Sequence, residues 1–218
     1  MRPTVSVVTP AFNAEHTLRR AHASVRTQSY DQWEHVIVDD GSTDGTSEVI
    51  AELAADRRVK SVRTKNGGTG WALNLGIEAA RGEYIAFLDA DDEYLRNHVS
   101  ARVEAMERQP NVDVLWGGFE VIADSPEAAL VPDVEKGSGF IPVFDCVVQG
   151  TIFVRRRVFD TCRFTTDRAI WFQDYEFVQR ARLEYSVSRF ETKTYRYYRD
   201  SGTSQVDRAK VAWAGADS

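Results

Sequence analysis

Glu83-Tyr84-Ile85-Ala86-Phe87-Leu88-Asp89-Ala90-Asp91-Asp92 is a short apolar run that ends in three carboxylates. The run from Tyr84 to Leu88 reads as a fully buried strand of a parallel sheet. The acids then fall at its carboxyl end, where open α/β sheets bind their ligands. Like charges this close repel one another, and a cation among them makes the arrangement tolerable. Carboxylates on a divalent metal that also binds substrate phosphates fit Mg²⁺ or Mn²⁺ chemistry. The competing reading is a solvated acidic turn that caps the next helix.

The chain around this stretch has 218 residues, 43% hydrophobic and 28% charged, enough apolar mass for one large core. Its net charge of −6 argues against a nucleic-acid partner, which needs a basic face. A phosphorylated small molecule held through a metal remains compatible. Cys146 and Cys162 have no metal-type spacing and read as reduced thiols of a cytoplasmic protein. Val5-Ser6-Val7-Val8 is too short for a signal segment, and no apolar run is long enough to span a membrane.

Working outward, strands are expected at residues 4–9 (TVSVVT), 33–38 (WEHVIV) and 58–63, with Pro10 stopping the first. Helices follow each of them: one from about Leu18, with Asn13 as a candidate N-cap, one over 46–55 and one over 71–80. Gly82 suits a left-handed C-cap of the third helix. A fourth helix covers 96–108. Residues 112–122 are a strand or a bent pair, kinked at Gly117-Gly118. The alternation predicts a parallel-dominated mixed sheet with helices on both faces. Beyond it come a long loop over 123–139, mixed strand material to 154, a helix over 171–184 and short strands over 186–198.

Two further features carry chemistry. Asn66-Gly67-Gly68-Thr69-Gly70 opens a helix but lacks the third glycine of a dinucleotide loop, since position 73 is Leu. It leaves backbone amides as an anion or base contact, or a plain turn. Asp39 and Asp40 end their strand much as Asp89 ends the central one. A carboxylate there accepts hydrogen bonds from a ribose or a base, or caps the turn that follows. Asp44 reads as turn structure.

The ordered set Val7-Val8-Thr9-Pro10-Ala11-Phe12-Asn13, Val36-Ile37-Val38-Asp39-Asp40-Gly41-Ser42-Thr43-Asp44-Gly45, Asn66-Gly67-Gly68, Gly82 to Asp92, and Gln173-Asp174-Tyr175-Glu176 resembles glycosyltransferase family 2, inverting enzymes with the GT-A fold. The resemblance implies one GT-A-like domain over 1–204, with a nucleotide-sugar-binding half (1–110), an acceptor half (111–204) and a loose tail (205–218). It implies a hexosyltransferase-type enzyme that takes a UDP-, GDP- or dTDP-linked sugar. Pro10, Ala11, Phe12, Asn13, Asp39, Asn66, Gly67, Gly68, Asp89, Ala90 and Asp91 would meet the donor, with Phe12 walling the base and Asp39 reading its edge. Asp89 and Asp91 would form the metal motif, with Asp92 as a further candidate ligand. Asp174 would be the general base, although ordinary capping also places an acid at a helix start.

Departures from the family pattern accompany these matches. Gln173 stands where an acid is common, and Leu73 where arginine is common. Asp200 stands for histidine in Tyr197-Tyr198-Arg199-Asp200-Ser201-Gly202-Thr203-Ser204, which resembles the family's closing loop. Arg199 would reach the diphosphate from there. Arg155-Arg156-Arg157 reads mostly as solvated charge, with one arginine available to a phosphate. Trp171 and Phe172 suit either a sugar platform or the core. The rival readings are a non-catalytic nucleotide-sugar binder and a nucleotidyltransferase, the latter lacking its phosphate loop after the first strand. The sugar and the acceptor stay open, as do peripheral membrane contact and a homodimer.

Overall fold

The computed structural model describes residues 3–199. Asp200 to Ser204 of the expected closing loop, and the tail from 205, lie outside the described residues. β1 (Val5–Ala11), β2 (Trp33–Asp39), β3 (Val59–Arg63) and β4 (Tyr84–Phe87) alternate with α1 (Leu18–Arg26), α2 (Thr46–Leu53) and α3 (Thr69–Ala79). The two-residue β5 (Glu93–Tyr94), α4 (His98–Arg108), β6 (Val114–Trp116) and β7 (Phe119–Ala123) follow. The last third holds β8 (Leu130–Pro132), β9 (Phe140–Pro142), β10 (Phe153–Arg155), α5 (Gln173–Ala181), β11 (Val187–Arg189) and β12 (Tyr195–Arg199).

The main sheet runs β11-β6-β10-β4-β1-β2-β3. Its members are parallel except β10, which runs antiparallel to both β4 and β6. This is the mixed, parallel-dominated sheet that the alternation predicted. Strand side chains alternate between the faces. Val8, Val36 and Val38 pack with Ala72, Leu73 and Ile77 of α3 and Phe177 and Val178 of α5. Val5 and Val7 pack on the other face with Ala21 and Val25 of α1 and Val99, Val103 and Met106 of α4. A second sheet, β5-β12-β7, leans on the first. Gly117 (φ 93°) and Gly118 (φ 72°) turn the chain from β6 into it, as expected of that pair.

Several local expectations are corrected. Pro10 does not stop β1 but lies within it, opposite Val38 of β2. Residues 4 and 8 bond towards β4, and 5 and 11 towards β2. Pro10 therefore turns its missing N–H towards β4, whose pairing with β1 ends at Val8 and Phe87, so no ladder bond is lost. Asn13 is not a helix cap. It sits at φ 52° and accepts from the Thr43 amide at 2.9 Å, which ties the loop after β1 to the turn after β2. Gly82 is not left-handed; a Cβ there would stand 2.5 Å from the Ser6 amide, so close approach demands the glycine. The long loop over 123–139 contains a 3₁₀ turn and β8, which pairs with β9.

Arg157 of the arginine run is exposed, as expected of solvated charge, but Arg155 and Arg156 are half-buried, and all three are tied to the protein. Arg155 donates to the Met106 and Val112 carbonyls, Arg156 to the Gly82 carbonyl and Arg157 to Asp113. These bonds staple the amino ends of β4 and β6, away from the acids that follow β4. Asp44 does hold the turn, accepting from the Thr46 amide at 3.0 Å.

His35 is fully buried, with Nε2 2.8 Å from Thr9 Oγ1 and Nδ1 3.0 Å from His22 Nδ1. Burial, then the neighbouring His22, pushes its pKa down to about 3. The unfolded chain therefore takes up this proton first. Stability from this residue is whole above the ordinary value of 6.5 and is lost as pH falls from there towards 3. The slope is about 1.4 kcal/mol per pH unit. Between pH 7 and pH 5, urea unfolding of the wild type should lose about 2 kcal/mol more than that of His35→Gln. Equal losses in the two proteins would show that His35 is not held neutral.

Candidate active site

The site lies where β4, β1 and β2 end side by side. At this edge β2 runs into Asp39-Asp40, β4 runs through Leu88 into Asp89-Ala90-Asp91-Asp92, and β1 runs into Phe12 and Asn13. After β4 the chain turns tightly, with the Asp92 amide on the Asp89 carbonyl at 3.2 Å. That turn sends the three acids in different directions. Asp91 is exposed, Asp89 is half-buried and Asp92 is 0% exposed.

Asp92 is corrected from a candidate metal ligand to a structural acid. It accepts from the Tyr195 hydroxyl at 2.5 Å and the Tyr198 amide at 2.8 Å. Burial, then the charges of Asp91 and Asp89, raises its pKa well above the usual carboxylate range. It anchors β12 beneath the site. Asp91 is fixed through its backbone: its carbonyl accepts from Arg20 of α1, whose guanidinium lies 4.0 Å over the Tyr198 ring.

Asp89 Oδ1 accepts from Gln149 Nε2 at 2.5 Å. Burial, then the charges of Asp91 and Asp174, pushes the Asp89 pKa up to about 8, with the Gln149 bond pulling the other way. Asp174 stands at the start of α5, half-buried, with its own carboxylate on the Tyr175 amide at 2.8 Å. Burial pushes its pKa up to about 6 against the amides of Tyr175, Asp174 and Gln149. The acids of β4 and α5 are thus near enough for their charges to interact, and the site favours a cation.

Residues expected on the nucleotide side divide into two groups. Phe12 is 49% exposed and offers an apolar face, beside half-buried Pro10 and exposed Asn13. Ala11 is buried, and Ala90 packs against the core between α1 and α2. Asp39, expected to read a base, is instead taken into its own turn. It accepts from the Ser42 amide at 2.8 Å and Ser47 Oγ at 2.9 Å, and pairs with Arg63 at 3.1 Å. Burial raises its pKa, but these partners outweigh burial and hold it below the usual value.

Asp40 uses both oxygens on the Gly67 and Gly68 amides, at 2.9 and 2.8 Å. Those two amides, expected to face an anion, serve to clamp the glycine loop to β2. Asn66 is exposed and accepts from Arg168 at 3.2 Å. Arg199, expected on a diphosphate, is 3% exposed, with Nε on the Ala128 carbonyl at 3.0 Å. A cavity of about 370 Å³ on the outer side of α3 is lined by Trp71, Asn74, Leu75, Glu78, Arg163 and Thr166, and neither the acids after β4 nor Asp174 lines it.

Gln149, Tyr195, Tyr198 and Arg20 hold the acids, and sequence reading named none of them for it. Nothing marks Gln149 in the sequence except the glycine beside it. Among the described residues no group of three or more His, Cys, Asp or Glu side chains is placed to hold a metal. Asp89 and Asp91 offer two hard oxygen donors, the number that suits an ion shared with substrate phosphates.

Comparison with known proteins agrees with this fold. The sequence profile described as Glycosyl transferase family 2 matches residues 6–206. An uncharacterised glycosyltransferase of Rickettsia felis is 37% identical over 122 residues, 55% of this chain and 20% of that protein. The Escherichia coli UDP-Glc:alpha-D-GlcNAc-diphosphoundecaprenol beta-1,3-glucosyltransferase WfgD is 34% identical over 119 residues, 54% of this chain and 46% of WfgD. Among solved structures, S. aureus TarS 1-349 in complex with UDP-GlcNAc superposes with a TM-score of 0.72 at 22% identity, covering 94% of this chain and 61% of that one. The mannosyltransferase PcManGT of Pyrobaculum calidifontis, in complex with GDP-Man and Mn²⁺, gives 0.70 at 20% identity, covering 90% and 57%. These structures share the fold, and the chain spans less than two thirds of each of these proteins.

Proposed function

The chain belongs to glycosyl transferase family 2, and on that premise we propose that it transfers a sugar from a nucleoside-diphosphate sugar to an acceptor hydroxyl, with inversion. The observation that carries the reading is the convergence of Asp89 and Asp91 from β4 with Asp174 from α5. Asp174 takes the proton of the acceptor hydroxyl. The freed oxygen attacks the anomeric carbon from the face opposite the nucleotide, and the sugar–phosphate bond breaks with its electrons on the diphosphate. A carboxylate poised near neutrality suits this step.

On the donor side, Phe12 and Pro10 offer an apolar wall for a base, and Asn13 and Asn66 offer polar groups. Asp39 and Asp40 shape the loops that carry them. The donor is a UDP-, GDP- or dTDP-linked sugar. Asp89 and Asp91 would hold Mn²⁺ or Mg²⁺ together with diphosphate oxygens. Bound there, the ion would supply positive charge against the negative charge of the departing nucleoside diphosphate. Residues 1–110 form the donor half. The acceptor half, 111–204, would use the region around 123–148 and Trp171 and Phe172 beside the base. A lipid-linked acceptor reached by peripheral membrane contact is compatible, since among the described residues no helix is long and apolar enough to cross a membrane. The free thiols of Cys146 and Cys162 support a reducing, cytoplasmic setting.

Calorimetry against UDP, GDP, dTDP and CDP, each with Mn²⁺ and with EDTA, tests the reading. One nucleotide should bind with Mn²⁺ and lose its binding in EDTA. Asp91→Ala should weaken that binding about tenfold or more. No metal-dependent binding of any of the four would sink the transferase reading. Binding without turnover for any donor and acceptor would favour a non-catalytic binder, the reading that Gln173 keeps alive.

A further inference from the structure

Gln149 begins a 3₁₀ turn, Gln149–Thr151, immediately before β10. It is 9% exposed. Its side-chain Nε2 donates to Asp89 Oδ1 at 2.5 Å, while its backbone N–H lies near enough to the Asp174 carboxylate to favour its charged form. One residue thus bonds the acid at the end of β4 and neighbours the acid at the start of α5. The turn that carries it is fixed from several sides. Thr151 Oγ1 accepts from the Gly117 amide at 3.0 Å and donates to the Val148 carbonyl at 2.6 Å. Gly150 lies against the Tyr195 ring, whose hydroxyl is on Asp92.

We propose that Gln149 is a positioning residue that sets the donor-side acid Asp89 and the base Asp174 in one register. The proposal rests on the transferase reading above. A bond to one oxygen of Asp89 fixes the carboxylate and leaves Oδ2 for a ligand. An amide side chain does this without adding charge to an already acidic cluster, which neither a carboxylate nor a cation would achieve. The shell of bonds around a ligating carboxylate sets its orientation, and losing such a bond lowers metal affinity or activity about 10–100-fold. The two contacts are separable by mutation. Side-chain variants cut the link to Asp89 and keep the backbone N–H near Asp174.

The test uses Gln149→Ala, Gln149→Asn, which is one methylene too short, and Gln149→Glu, which keeps the length but cannot donate when ionised. For each, calorimetry gives the Kd of the nucleotide that the wild type binds and the Mn²⁺ concentration for half-saturation. Thermal unfolding gives Tm, and turnover gives KM for donor and acceptor. Gln149→Ala and Gln149→Asn should raise the nucleotide Kd and the Mn²⁺ half-saturation about tenfold or more, and the donor KM with them. The acceptor KM should hold, and Gln149→Glu should lose more than either. A lower Tm and kcat with unchanged Kd and half-saturation would mean a merely structural residue and would overturn the proposal, as would wild-type values throughout. Asp91→Ala run alongside separates the two failures. If it loses binding and the Gln149 variants do not, only the positioning role falls. If Asp91→Ala binds like the wild type, the transferase reading falls and takes this role with it.

Discussion

Asp174→Asn should lower kcat by about 10²–10⁴-fold, or about 3–5 kcal/mol of transition-state stabilisation, with metal-dependent nucleotide binding intact. Asparagine keeps the shape of the side chain and one oxygen for the Tyr175 amide, so α5 should start as before. What it loses is the ability to take a proton from a hydroxyl. Its neighbours on α5 do not replace it. Position 173 is Gln, and Glu176 is paired with Arg180 of the same helix. Steady-state rates with the donor identified by calorimetry check the effect, beside binding of its nucleotide. Wild-type turnover in Asp174→Asn would remove the base from the mechanism. Loss of nucleotide binding along with turnover would instead make Asp174 part of the donor site.

The second large effect concerns stability. Gly150→Ala should destabilise the fold by about 3–5 kcal/mol, the sum of overpacking and a broken buried hydrogen bond. Its φ is unremarkable; the reason is space. A Cβ at this position would stand 1.9 Å from the Tyr195 hydroxyl oxygen and 2.2 Å from the ring carbon that bears it. Tyr195 is fully buried, and its ring cannot retreat without leaving Asp92. Asp92 would then keep a buried oxygen short of its donor. For a chain of this size that is a fall in Tm of about 10 °C or more. Tyr195→Phe, which removes only the hydroxyl, should fall less. A Gly150→Ala protein that melts with the wild type would show that the turn before β10 has another course.

The elements legible in the sequence were those whose signal is local. Runs such as VIVD and YIAFLD declare buried strands and the sheet edge at which they end. Gly117-Gly118 declares a break. The acids at the ends of β2 and β4 come to one sheet edge, as their places at strand ends predict, but their spacing does not tell which partners each one takes. Asp92 is tied down by Tyr195 and Tyr198, and Asp40 by the glycine loop, and no pattern around either acid announces such partners. The same holds for Arg102, fully buried on the Gly117 carbonyl at 2.6 Å, and for Arg155 and Arg156, stapled to distant carbonyls. Pro10 misled in the opposite direction. Its local meaning is a strand end, and only the length of the neighbouring strand cancels it.

The antiparallel β10 bears on how the chain reaches this state. Phe153 pairs with Ala86, so the apolar strand Tyr84–Phe87 has its second flank covered only when the last third of the chain arrives. On a ribosome the first 110 residues emerge as a sheet with one bare, hydrophobic edge, the kind that recruits stray strands. Residues 1–110 are therefore not a separable folding unit. A fragment cut after α4 would be expected to clump unless something occupies that edge, and closing the sheet and completing the acid cluster become the same late event.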